Sequence, residues 1–200
     1  MEALPKLEPG KLYHIFNRGN NRENIFKEKR NYEYFLRLYK QHICPVADTY
    51  AYCLLPNHFH VAVRIKESKE IPEGLRQSPQ LVSHHFSNMF NAYAKAINKA
   101  FGRSGALFKH RFRRNEIDSL ESLVRVICYI HTNPVHHRLT DEYSSYPYSS
   151  FQGIVYDLGT PGLLTSCLHF FDGVEKFKYT HEEYFKQRIT DNEDLEFLPS

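Results

Sequence analysis

Residues 49–66 read TYAYCLLPNHFHVAVRIK, and the reading of this stretch decides the fold. Thr49 to Leu55 is a run of β-formers, Pro56-Asn57 breaks it with turn residues, and His58 to Lys66 forms a second run. The pattern predicts two strands joined as a hairpin. Successive side chains of a strand point to opposite faces. Phe59, Val61, Val63 and Ile65 therefore share the face that meets a core, while His58, His60, Ala62 and Arg64 share the other.

Toward the N-terminus, residues 11–17 (KLYHIFN) read as a strand, followed by the turn residues Arg18-Gly19-Asn20-Asn21-Arg22. Residues 31–42 carry apolar side chains at helical spacing. Toward the C-terminus, residues 81–101 are rich in helix formers and Gly102 stops them. Residues 106–117 read as a strand. Asp118-x-x-Glu121 resembles a capping box, and the helix after it is expected to end at Asn133-Pro134. The order β-α-β-β-α-β-α predicts an α+β, ferredoxin-like sandwich with helices on one face of an antiparallel sheet. Beyond residue 140 the pattern weakens. The expected division is one domain over residues 1–151 and a C-terminal extension over 152–200 with one or two short helices.

The chain has 200 residues, 42% of them hydrophobic, which is enough for a real core. Net charge is only +3, but its distribution is uneven. From Gly74 to Asn115 there is no Asp or Glu, while Arg76, Lys95, Lys99, Arg103, Lys109, Arg111, Arg113 and Arg114 fall there. A basic middle with an acid-rich tail attracts phosphate to one face. Cys44, Cys53, Cys128 and Cys167 form no C-x-x-C pair and read as reduced thiols. The N-terminus does not read as a signal peptide, and no apolar run approaches a membrane span, so a cytoplasmic protein is expected.

Three features carry chemistry. Two histidines two residues apart on one strand face can chelate a metal ion, although His58-x-His60 alone also suits two ordinary, partly exposed histidines. In the last helix of the repeat-free core, Leu120, Leu123, Val124 and Ile127 form an apolar stripe, with Ile130 at its edge. Tyr129 falls on the opposite side, with Arg125 and Asn133 one turn away on each side, so all three line a polar face. A core tyrosine belongs on the stripe. His58, His60 and an Asn133 oxygen would form a mixed N/O shell with open positions, suited to Mg²⁺ or Mn²⁺ on a phosphate oxygen. Finally, residues 107–114 (LFKHRFRR) alternate. One extended strand would put Lys109, Arg111 and Arg113 on one face and Phe108, His110, Phe112 and Arg114 on the other. Three cations in a row suit a nucleic-acid backbone, and also suit a solvated edge strand. The turn with Arg18, Asn20 and Arg22 is a further candidate DNA contact.

Three motifs, in order, carry a family resemblance: Tyr-His-Ile-Phe-Asn-Arg-Gly at 13–19, Leu-Leu-Pro-Asn-His-Phe-His-Val at 54–61, and Tyr-Ile-His-Thr-Asn-Pro-Val at 129–135. Over residues 11–151 the chain resembles the REP-associated tyrosine transposases, relatives of the single-tyrosine HUH insertion-sequence transposases. The resemblance implies a ferredoxin-like fold and metal-dependent nicking of single-stranded DNA beside hairpins. It also implies a covalent 5′-phosphotyrosine, a free 3′-hydroxyl and strand transfer without ATP. It puts the metal on His58 and His60 with Asn133 as third ligand, and the nucleophile at Tyr129. The implied partner is single-stranded or hairpin DNA, met by a monomer or a homodimer. The alternatives are a catalytically silent hairpin-binding protein and a metal-dependent phosphoesterase for small molecules.

Overall fold

A computed structural model of the chain describes residues 5–75, 81–109, 111–157 and 162–191. Four strands, β1 (Leu12–Arg18), β2 (Ala47–Leu55), β3 (His58–Ile65) and β4 (Arg113–Ile117), form one antiparallel sheet in the order β2-β3-β1-β4. Pro56 and Asn57 make the two-residue turn of the β2–β3 hairpin. The ferredoxin-like order puts β3 and β1 in the middle, so the His58-x-His60 strand lies directly beside the strand of the Tyr-His-Ile-Phe motif.

Helices α1 (Lys29–His42) and α2 (Leu81–Ala100) cover one face. Tyr13, Ile15, Phe59, Val61, Val63 and Ile65 point into that layer and meet Phe35, Phe86, Phe90 and Tyr93. This is the alternation read from residues 58–65. The expectation of helices on one face only is corrected. Helix α3 (Leu120–His136) crosses the opposite face, backed by the short α4 (Phe151–Val155) and the long α5 (Val174–Asp191). Ala51, Cys53, Leu55 and Ala62 of the sheet join Leu123, Ile127 and Cys128 of α3 and Phe177 of α5 in a second core. The reason lies in β2, where Ala47 and Leu54 face the first layer and Ala51, Cys53 and Leu55 the second, joined there by Ala62 of β3, and a strand apolar on both faces must be covered twice.

Four further expectations are corrected. The fourth strand begins at Arg113, not near residue 106. Among the described residues, the backbone of the preceding segment pairs with the chain only at the isolated Gly19–Phe108 bridge. The N-cap of α3 is Ser119, whose Oγ accepts from the Ser122 N–H at 3.1 Å, so Asp118-x-x-Glu121 is not the capping box. Helix α3 also runs through Pro134. The missing N–H falls in the last turn, and His137, Arg138 and Leu139 donate to the carbonyls of Asn133, Val135 and Pro134. The last of the C-terminal helices is 18 residues long, not short.

Candidate active site

The face of the sheet under α3 gathers the site. In β3, His60 lies opposite Phe16 of β1, and His58 lies opposite Arg18. Cross-strand partners share a face, so His14, opposite Ala62, belongs to the same row as His60. Above them, Tyr129 and Asn133 sit one turn apart on α3. The Tyr129 ring is edge-on to His60 at 5.4 Å and to His14 at 5.8 Å, and Asn133 Oδ1 is 3.4 Å from His58 Nε2. The two histidine rings are perpendicular, with centroids 5.2 Å apart.

Helix periodicity suggests an open polar face for Tyr129, and this is corrected. Tyr129 is 4% exposed and Asn133 is fully buried, whereas Leu120 at the start of the apolar stripe is 54% exposed. Arg125 does point to solvent, where it pairs with Glu121. The periodicity reports which side chains share a side of α3, but both sides of its second half are covered. The sheet covers Tyr129 and Asn133. Helix α5 covers His131, about 200° further round at the usual helical pitch.

Side chains around the two histidines set their protons. Asn57 Oδ1 accepts from His58 Nδ1–H at 2.6 Å, which leaves Nε2 with a free lone pair. His60 Nδ1 bonds His14 Nε2 at 2.9 Å, while His60 Nε2 is buried with no partner among the described residues. Asn133 Nδ2 is likewise buried and unpartnered. Burial holds His58 neutral, its pKa down to about 3, with the neighbouring His137 ring 4.5 Å away adding to the effect. Burial also takes His14 to about 3 and His60 well below the usual imidazole value. Two neutral imidazole nitrogens and an amide oxygen thus converge, and such a donor set fits a divalent cation while leaving coordination positions open. Among the described residues no group of three or more His, Cys, Asp or Glu is placed to hold a metal. The set is therefore two imidazoles and an amide, with no carboxylate. Burial pushes the Tyr129 phenol up, and the Asn133 amide and the Arg188 cation oppose that shift.

No family model matches the chain, and no curated protein matches it. Among solved structures it is similar to a REP-associated tyrosine transposase bound to a REP hairpin, with a TM-score of 0.57 over 83% of this chain and 92% of that one. The chain has the fold of that transposase. Sequence identity is 19%, so the likeness is one of fold.

On this transposase-like fold the candidate DNA contacts divide. Lys109 N–H donates to the Arg18 carbonyl and Asn20 N–H to the Leu107 carbonyl, at 2.9 and 2.8 Å, so the 18–22 turn and the basic segment are stitched together beside His58. Gly19 allows it: a Cβ there would lie 2.0 Å from the Glu23 carbonyl oxygen. Arg22, Lys109 and Arg111 are exposed, and Arg18, Asn20 and Arg113 are half-buried. Arg113 lies opposite Phe16, on the face of His60. Arg114 points the other way. It donates to Ser83 Oγ at 3.2 Å and stacks on Phe112. Arg103 is tied to Glu23 and Asn98, at 3.0 and 2.7 Å. The three-cation strand face is not formed, because β4 contains only Arg113 of the three. Arg76 and His110 lie outside the described residues. Among the described residues no helix is long and apolar enough to cross a membrane.

Sequence reasoning missed four side chains of the site: His14, Asn57, His137 and Arg188. His14 was within reach, since alternation in residues 11–17 puts it on one face with Phe16. Asn57 was visible as the residue before His58. No local signal points to Arg188.

Proposed function

We propose that the chain is a metal-dependent single-strand DNA endonuclease and strand-transferase that nicks beside hairpins. One observation carries this reading: Tyr129 and Asn133, one helical turn apart, lie directly over the His58-His60 pair. His58 Nε2, His60 Nε2 and the Asn133 amide would hold Mg²⁺ or Mn²⁺, which when bound draws charge from a phosphate and orients it. Tyr129 Oη attacks the phosphorus in line. The Oη–P bond forms, the P–O3′ bond breaks, the phenolic proton leaves Oη, and the departing oxygen ends as a 3′-hydroxyl. The 5′-phosphotyrosine keeps the phosphodiester energy, so a second 3′-hydroxyl can reverse the step without ATP. His14 and Asn57 hold the two imidazoles in their metal-binding tautomers. Arg18, Asn20, Arg22, Lys109, Arg111 and Arg113 line the approach for the backbone. The transposase of like fold is bound to a REP hairpin, and single-stranded DNA flanking such hairpins is the substrate class proposed here.

A silent, hairpin-binding protein is the second reading, favoured by the near-complete burial of Tyr129. Incubation with 5′- and 3′-labelled hairpin-bearing single strands and Mn²⁺ separates the two. The nuclease reading expects a denaturation-resistant adduct that carries the 3′ label, because the fragment 3′ of the nick stays on Tyr129 through its 5′-phosphate, and release of the 5′-labelled fragment with a free 3′-hydroxyl; both are lost in Tyr129→Phe and His60→Ala. Hairpin binding with no adduct in any divalent metal would establish the silent one.

A further inference from the structure

Helix α5 carries Phe177, His181, Tyr184 and Arg188 at spacings of four, three and four, which is one helical stripe. Its first half is locked to α3 by a buried chain of hydrogen bonds. His181 Nδ1 donates to the Phe177 carbonyl at 2.8 Å, leaving Nε2 to accept from His131 Nδ1 at 2.8 Å. His131 Nε2 accepts from Ser150 Oγ at 2.8 Å, and Ser150 Oγ accepts from the Tyr52 N–H at 2.9 Å. With α5 held in that register, two turns on from His181 the Arg188 guanidinium carbon comes to 5.3 Å from the centre of the Tyr129 ring and 5.8 Å from that of Tyr184. Arg188 Nη2 is buried and has no hydrogen-bond partner among the described residues.

A buried guanidinium donor without an acceptor is costly. A phosphate oxygen is the acceptor such a fork fits best. A phosphorus about to bond Tyr129 Oη must come within one P–O bond of it, and its non-bridging oxygens then fall within reach of a cation over that ring. We infer that Arg188, from the C-terminal helix, is a second catalytic residue: its guanidinium binds the non-bridging oxygens of the phosphate that Tyr129 attacks. This rests on the nuclease reading above. Arg188 neither gives nor takes a proton; it stays a cation while charge builds on the phosphate. It also assigns a task to α5, in the part of the chain where the sequence resembles nothing.

The test uses the full chain and two DNA substrates, one with an ordinary phosphodiester at the cleaved position and one with an uncharged methylphosphonate there. Adduct formation is timed at saturating DNA for wild type, Arg188→Gln and Arg188→Lys, with binding followed separately. On the phosphodiester, Arg188→Gln is expected to slow adduct formation roughly 10²-fold with hairpin binding unchanged, as loss of one charge-stabilising donor does. Arg188→Lys recovers part of it. On the methylphosphonate, which has no charge to neutralise, the gap between wild type and Arg188→Gln closes. Equal loss on both substrates means that Arg188 only packs on Tyr129 and overturns the inference, as does no loss on either. Absence of adduct from wild type would instead sink the nuclease reading itself, and this inference with it.

Discussion

His14 offers the sharpest separation between a core residue and a metal-site residue. Its ring is 1% exposed and stacks on His60 at 5.1 Å, and its Nε2 bonds His60 Nδ1 at 2.9 Å. His14→Phe keeps a ring of similar size over Phe16 and His60 and removes the hydrogen bond to His60. It leaves His60 Nδ1 buried and unsatisfied, which costs about 1–3 kcal/mol. It also frees His60 to turn or to change tautomer, and loss of such an orienting partner typically weakens metal binding by about 10–100-fold. His14→Ala adds a cavity, bringing the total to roughly 3–5 kcal/mol. Urea unfolding without metal reads the first term, and titration of Mn²⁺ followed by the electron paramagnetic resonance of the free ion reads the second. His14→Phe should thus lose about 1–3 kcal/mol and much metal affinity, whereas His14→Ala should lose more stability at a similar loss of affinity. A His14→Phe protein that binds Mn²⁺ like wild type while unfolding more easily would refute the orienting role and leave His14 as packing alone.

Other outcomes follow from the same geometry. Burial holds His131 well below, and His181 at about 4 against, the usual imidazole value of 6.5. Above pH 6.5 both are neutral folded or unfolded; as pH falls from 6.5 toward 4 only the unfolded chain takes up protons, and stability drops by about 1.4 kcal/mol per pH unit for each histidine. His181→Phe should flatten that slope between pH 6.5 and 4 in urea titrations, and an unchanged slope would show that other groups set it. Gly19→Ala forces a methyl to within 2.0 Å of the Glu23 carbonyl, and should cost about 1–3 kcal/mol of stability; calorimetry showing none would mean that the 18–22 turn is more compliant than its close contacts indicate. For DNA, Arg113→Ala should weaken hairpin binding and lower the salt slope by about one. Arg114→Ala and Arg103→Ala should leave the slope alone, since those guanidiniums are occupied by Ser83 and Phe112 and by Glu23. A slope that falls equally in all three would remove the division among the basic residues.

Periodicity within single elements determined a good deal about this protein. Residues 58–65 alternate, so His58 and His60 had to share a face whatever surrounded them. Tyr129 and Asn133 are four apart in a helix, so they had to stack one turn apart. The order of elements restricted the sheet to a ferredoxin-like arrangement. These are local facts, fixed by two backbone periods and the turn residues between them. What covers each face is not local. That α3 lies on the histidine face, burying Tyr129 rather than exposing it, depends on apolar and small residues of β2 and β3 that are far from α3 in the chain. The pairing of β1 with β3 brings His14 to His60 across 46 residues, and the docking of α5 brings Arg188 over Tyr129 from a region with no recognisable motif. Lys109 and Arg113 looked like one strand face, but the chain leaves the sheet between them, because alternation cannot tell a paired strand from an extended segment that merely lies against a turn. Period dictates which side chains go together; only the tertiary packing decides what they meet.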